Sequence, residues 1–269
     1  QGTKLGPWLF ILMINDLDPS GAYKWKFVDD TTLAEIVPKG AVSHAQESVT
    51  EVGDWSSHNK LELNADKCKE VRIDFKKTKS QFVPIVINNK ELNVVDHAKI
   101  LGVTISNSLQ WNEHVANIIK KANKRLYFLV LLRRAKVPAS DIINFYCTCI
   151  RPILEYCAPV FHHALPEYLN KDLEQVQKRA LSIVLQGTPY EEALEQLNMD
   201  TLYQRRNTIC MNFFQQIIND PKNKLNSLIP QKQVSRYNLR KQRQFNIPII
   251  RTNRFMKSFI PSMCRILDN

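Results

Sequence analysis

The spacing of apolar residues changes near Trp111, and that change restricts the chain to an α+β architecture. Before it, short β-prone runs predominate. Tyr23, Trp25 and Phe27 alternate with Lys24, Lys26 and Val28, the period-2 pattern of a half-buried strand. Thr31, Thr32, Ile36 and Val37 form a second β-prone run, so residues 24–37 read as strand, Asp29-Asp30 corner, strand. "KEVRIDF", "QFVPIVI" and "AKILGVTIS" read as further strands, with Pro84 marking an edge. Two helices interrupt this part. "GPWLFILMINDL" opens with a first-turn Pro7 and is apolar throughout, which predicts a buried helix. Val42, Ala45, Val49, Val52 and Trp55 predict another over 41–57.

Past Trp111 the spacing is helical. Val115, Ile118, Ala122, Leu126, Leu129 and Leu132 form one stripe, with Lys120, Lys121, Lys124 and Arg125 clustered beside it. Helices are predicted over 141–157, over 170–185 with Leu173, Val176, Ala180 and Val184 inward, and over 200–219. Thr188, Pro189 and Glu191 supply an N-cap, a first-turn proline and a capping box. Beyond Pro221 the chain is basic and proline-interrupted.

Charge is unevenly spread. Of the net +11, residues 222–269 contribute +10 (11 Lys/Arg, one Asp) and residues 111–136 contribute +6 (7 Lys/Arg, one Glu), leaving −5 elsewhere. Two basic segments on a mildly acidic body point to a polyanion, nucleic acid first; each alone also reads as a solvated face. Only 7 of 269 residues are Gly, which argues against a glycine-rich phosphate loop. No apolar run approaches 18 residues, so no membrane span is expected. The absence of an initiator Met and a signal peptide reads as an intracellular piece of a longer polypeptide. Cys147 and Cys149 fall two apart on a predicted helix and point away from each other, which favours core thiols over zinc ligands.

The Asp29-Asp30 corner is chemically odd. Asn-Gly or Asp-Gly suits a tight hairpin better, and adjacent like charges repel. The pair reads either as turn acids bonded to local backbone or as ligands of a cation.

Three stretches in order, "QGTKLGPWLF", "FVDD" at a hairpin and "ILGVTIS", resemble the reverse transcriptases of non-LTR (LINE-type) retrotransposons. The likeness runs from Gln1 to about Ser106, with looser echoes in "LEQVQKRAL" and "RTNRFMKSFIP". It implies a partial polymerase palm over 1–105, a thumb-like basic helical segment over 106–140, a helical region over 141–221 and a basic tail over 222–269. The implied reaction is template-directed addition of deoxynucleotides to a primer, with Mg²⁺ or Mn²⁺ held by Asp29 and Asp30. The implied partners are an RNA template, a DNA primer, deoxynucleoside triphosphates and the N-terminal part of the same polypeptide.

By the same resemblance, Gln1 and Gly2 lie beneath the template base and incoming nucleotide. Lys67, in "LELNADKCKEVRIDF", lies near the triphosphate, and Leu101-Gly102 forms the primer grip. Lys120, Lys121, Lys124 and Arg125 follow duplex phosphates. The uneven charge, apart from the resemblance, adds Arg236, Arg240, Lys241, Arg243, Arg251 and Arg254 of the tail as phosphate contacts. Val28 departs from the Ala or Met often found before the paired acids. A further metal-ligating Asp precedes the "QG" motif in that family and is not in this sequence, so the chain alone is expected to be inactive. Plain readings stand beside these: a surface Lys67, a tight turn at Gly102, and a non-catalytic nucleic-acid-binding remnant.

Overall fold

The computed structural model describes residues 5–231 and 244–268. Gln1, Gly2, Arg236, Arg240, Lys241 and Arg243 lie outside them. The chain divides into two compact units, Gln1–Ile100 with Ile105–Leu109, and Leu101–Thr104 with Gln110–Asn269.

In the first unit, helix α1 (Leu5–Ile14) precedes a hairpin of β1 (Tyr23–Phe27) and β2 (Asp30–Ala34), then helix α2 (Ala45–His58). Ile14, Leu17 and Val52 form a small core with Phe10, Leu33, Trp55 and Leu63. Trp55 Nε1 donates to Asp16 at 3.0 Å, and Ser48 Oγ donates to the Ser20 carbonyl at 2.7 Å, tying α2 to the approach of β1. The sequence predicts a buried α1, but only Ile14 is buried; Leu5, Trp8, Leu9 and Leu12 are exposed. Continuous apolarity shows that a helix seeks partners; it does not supply them.

Four short strands follow: β3 (Lys69–Glu70), β4 (Val86–Ile87), β5 (Lys90–Glu91) and β6 (Asn93–Val94). β3 pairs parallel with β6, and β4 antiparallel with β5. "KEVRIDF" and "QFVPIVI" thus pair only at two residues each. Pro84 removes a ladder donor from the latter. In the former, the Asp74 carboxylate accepts the backbone N–H groups of Lys76 (2.9 Å) and Ser80 (3.0 Å), closing a loop in place of a strand. β7 (His97–Ile100) and β8 (Val103–Ser106) then form a hairpin.

The second unit is helical. The long α3 (Asn112–Arg134) buries His114, Val115, Ile118, Ala122, Leu126 and Leu129. α4 (Ala139–Phe145) runs through a π turn at Tyr146–Ile150 into α5 (Arg151–Glu155). Pro152 explains the turn. It has no N–H, and in a regular helix its ring would meet the Thr148 carbonyl four residues back. A wider turn moves that carbonyl away from the ring, and Arg151 N–H bonds the Tyr146 carbonyl five back. The Arg125 guanidinium of α3 donates to the Cys149 carbonyl in this turn.

After α6 (Ala158–Phe161) come α7 (Glu167–Val184), α8 (Tyr190–Gln196) and α9 (Leu202–Asn219). α7 packs on α3 through Leu173, Val176, Ala180 and Val184, the stripe read from sequence. The capping box expected at Thr188 and Glu191 does not form: α8 begins after Pro189, with no side-chain cap. It forms instead at α9, where Thr201 Oγ1 accepts Gln204 N–H at 3.2 Å and Gln204 Oε1 accepts Thr201 N–H at 3.0 Å. The Glu174 carboxylate adds acceptors for Leu202 N (3.1 Å) and Tyr203 N (3.3 Å), where the α9 dipole favours an anion.

Gln177, fully buried on α7, links four elements. Tyr146 OH donates to its Oε1 at 2.7 Å, and its Nε2 donates to Tyr190 OH and to the Asp200 carbonyl, both at 3.0 Å. On α9, buried Arg206 donates to Asn170 Oδ1 (3.0 Å) and to His162 Nδ1 (3.4 Å). Burial lowers the His162 pKa to about 3, with Arg206 and His163 adding to the effect, so the ring accepts as the neutral form.

Residues 244–268, read from sequence as basic tail, pack here. α10 (Asn253–Met256) and α11 (Phe259–Leu267) follow Phe245, and Phe245, Met263 and Cys264 join Ala158, Cys210 and Phe214 in one core. The six thiols are free, and burial raises those of Cys210 and Cys264 to about 12 and 11.

Candidate active-site hairpin

The β1–β2 ladder registers Tyr23 with Ala34, Lys24 with Leu33, Trp25 with Thr32, Lys26 with Thr31 and Phe27 with Asp30. Val28 and Asp29 are therefore the two loop residues, and Asp30 begins the return strand. Val28 has φ +53°, whereas Asp29 keeps a negative φ, the pattern of a II′ turn. That position favours glycine, and a β-branched residue there costs about 1–3 kcal/mol. Strained backbone clusters at functional sites, and here it lies beside two carboxylates.

Directly opposed residues share a face. Tyr23, Trp25, Phe27, Thr32 and Asp30 lie on one side; Lys24, Lys26, Thr31 and Leu33 lie on the other. The aromatic side faces solvent, with Tyr23, Trp25 and Phe27 each more than half exposed, while Leu33 on the lysine side reaches the core.

Lys26 makes this possible. Its ammonium donates to the carbonyls of Ile14 (2.8 Å), Asn15 (3.0 Å) and Leu17 (3.0 Å), filling all three donors at the negative end of α1. Lys24 pairs with Asp18. Neither lysine is directed to the Asp-Asp corner.

Asp29 and Asp30 are exposed, and neither carboxylate takes part in a side-chain hydrogen bond or ion pair among the described residues. The reading of them as turn acids bonded to local backbone has no contact behind it. Two uncommitted carboxylates offer hard oxygen donors, which suit Mg²⁺ or Mn²⁺ sharing its remaining positions with water and phosphate. No group of three or more His, Cys, Asp or Glu side chains converges for a metal among the described residues.

The other sequence candidates lie on other elements of the chain. Lys67 is exposed in the Ala65–Lys67 turn, its N–H bonded to Asn64 O (3.1 Å) and Asn64 Oδ1 (3.2 Å). Leu101 (φ +45°) and Gly102 (φ +89°) form the two-residue β7–β8 loop, positive at both positions as a I′ turn requires. Tyr156 OH donates to the Leu101 carbonyl at 2.8 Å, and a Cβ on Gly102 would lie 3.2 Å from Tyr156 Cε1. Gly102→Ala is expected to lower stability by about 1–2 kcal/mol through the left-handed backbone, plus displacement of the ring. Thermal unfolding measures it; an unchanged midpoint would mean the turn tolerates a side chain. Lys120, Lys121, Lys124 and Arg125 are all exposed on α3, with Arg125 partly engaged at Cys149. Sequence reading missed Lys26 and Gln177. A lysine alternating with aromatics, or a lone glutamine beside an apolar stripe, looks solvated until its acceptors are located.

The RNA-directed DNA polymerase from mobile element jockey of Drosophila melanogaster is 24% identical over 185 residues, 64% of this chain and 20% of that protein. The chain is similar to reverse transcriptases of mobile elements. The probable RNA-directed DNA polymerases from Drosophila transposon BS (24%, 68% of this chain, 22% of that protein) and transposon X-element (22%, 68% and 21%) agree. The chain spans about a fifth of the length of the curated relatives it matches. The family described as alkylated DNA repair protein alkB homolog 8, N-terminal, matches residues 111–151, which comprise α3, α4, the π turn and the start of α5. No solved structure matches significantly.

Proposed function

We propose that the chain is part of an RNA-directed DNA polymerase, with palm elements over 1–105, a thumb-like basic segment over 106–140, a helical region over 141–221 and a basic C-terminal segment beyond. The observation that carries this is the strained two-residue turn presenting the Asp29 and Asp30 carboxylates, which have no side-chain partner among the described residues. Bound divalent metal would supply Lewis acidity for phosphoryl transfer from a deoxynucleoside triphosphate to a primer end. Asp29 and Asp30 hold the cation. Lys67 provides positive charge and a proton for departing pyrophosphate, and Leu101-Gly102 supports the primer. Lys120, Lys121, Lys124 and Arg125 meet backbone phosphates.

A further carboxylate comes from polypeptide outside this sequence. The exposed apolar residues of α1 and the aromatic face of β1 are surface that a further segment of such a polymerase would cover. The expected result for primer extension by this chain alone is no detectable product.

Titration with Mn²⁺, followed through loss of the free-ion resonance, tests the reading. Weak binding is expected, abolished in Asp29→Asn and in Asp30→Asn. Titration curves that are identical in wild type and both variants would return the pair to turn acids. Nucleic-acid binding without any Mn²⁺ binding would favour the non-catalytic remnant, and robust primer extension by the purified chain would show the site to be complete.

A further inference from the structure

The buried face of α3 leaves an unusual face opposite. Val115, Ile118, Ala122, Leu126 and Leu129 point inward. Lys120, Lys124, Tyr127, Leu131 and Arg134 recur at alternating steps of four and three along the outer side, with Phe128 adjoining Tyr127. Tyr127 is 59% exposed, Phe128 49% and Leu131 39%. Cations stand at both ends of the stripe and aromatics in the middle, all within about 21 Å at 1.5 Å per residue.

The aromatics are held, not loose. Phe128 contacts Phe145 of α4 at a centroid distance of 6.4 Å, and Tyr127 meets Phe128 edge-on at 6.1 Å. Arg125, drawn to the Cys149 carbonyl, fastens the same helix from its flank. No carboxylate pairs with Lys120, Lys124 or Arg134 among the described residues, and the one acid on α3, Glu113, lies at its start. Protein-docking cores are depleted in lysine, whereas free cations bracketing rigid rings suit a chain of phosphates carrying flat bases.

We propose that this outer face of α3 is a platform for single-stranded nucleic acid, with bases stacked on Tyr127 and Phe128 and phosphates held by Lys120, Lys124 and Arg134. It deepens the polymerase reading and rests on it for one point, the identity of the strand as unpaired template. A duplex keeps its bases stacked on one another and offers this face phosphates alone. The aromatic contribution is therefore selective for single strands; the cationic contribution is not.

Fluorescence anisotropy of the full chain with one labelled oligonucleotide, as RNA, as DNA and as blunt DNA duplex, tests it. Tyr127→Ala, far enough into solvent to spare the fold, should weaken single-strand binding about tenfold and leave duplex binding within twofold. Tyr127→Ala/Phe128→Ala should weaken it further without altering the salt slope. Neutralising Lys120, Lys124 and Arg134 to Gln should reduce the log–log salt slope by about two for single strands. Equal losses on duplex and single strand in the aromatic variants, or no loss on either, would overturn the platform. So would a Tyr127→Ala unfolding midpoint lowered as for a core residue, because the ring would then be covered within the chain. A preference for RNA over DNA would fit template; equal affinity supports the platform without that assignment. These outcomes do not depend on Mn²⁺ binding at Asp29 and Asp30, so either reading can fail while the other stands.

Discussion

Gln177→Leu should cost about 2–5 kcal/mol of unfolding free energy, far more than its similar volume suggests. The replacement fills the space but leaves the Tyr146 hydroxyl, the Asp200 carbonyl and one side of the Tyr190 hydroxyl without their partner. Each buried polar group so abandoned costs about 1–3 kcal/mol. Tyr146→Phe removes one bond only, and its cost should be near the low end of that range. Urea unfolding checks both, with a shifted midpoint and an unchanged slope expected. The double variant should cost less than the two single costs added, since the two side chains share a bond. A loss below about 0.5 kcal/mol for Gln177→Leu would mean that water replaces the amide and that the hub is not closed.

Phe214→Ala should be comparably damaging, at about 3–5 kcal/mol. Phe214 is fully buried on α9, 6.2 Å from the Phe245 ring and 5.9 Å, edge-on, from that of Phe259. Its removal withdraws the surface on which residues 244–268 close. Amide hydrogen exchange should therefore accelerate in α11 before it accelerates in α3. Unchanged α11 exchange with a stability loss under 1 kcal/mol would show that the C-terminal residues are held elsewhere. The same packing governs any truncation. A chain cut near Asp220 would bare Phe214 and Cys210, so a loss of nucleic-acid binding in it reports on folding as well as on charge; single-site neutralisation of Arg251 and Arg254 separates the two.

The parts of the fold most legible in the sequence are those where side-chain spacing is imposed by local backbone. The alternation in "YKWKF", the stripe from Val115 to Leu129 and the stripe from Leu173 to Val184 all appear as elements. What spacing does not encode is which face finds a partner. The aromatics of β1 point outward because Lys26 finds three carbonyls on the other side, a contact fixed by where α1 ends. The strand in "KEVRIDF" is shorter than its residues suggest because β propensity measures fit to a sheet, and the Asp74 loop takes the chain out of it. At the candidate site, the paired acids and their hairpin were readable from residue types. The positive φ at Val28 was not, because nothing in a valine announces left-handed backbone.

The π turn between Tyr146 and Ile150 has a consequence for aligning this chain with its relatives. An α-helix advances about 100° per residue, and one extra residue in a turn rotates everything after it by that amount. Leu154 and Glu155 thus face where they do because the helix accommodates a residue that regular winding would exclude. A homologue with an ordinary residue in place of Pro152 has no reason to keep the wide turn. It would present the same faces only by being one residue shorter between positions 146 and 150. Gaps are customarily placed in loops; here the one-residue gap belongs inside a helix, and placing it at Val137-Pro138 instead would misassign every position from Ala139 to the π turn.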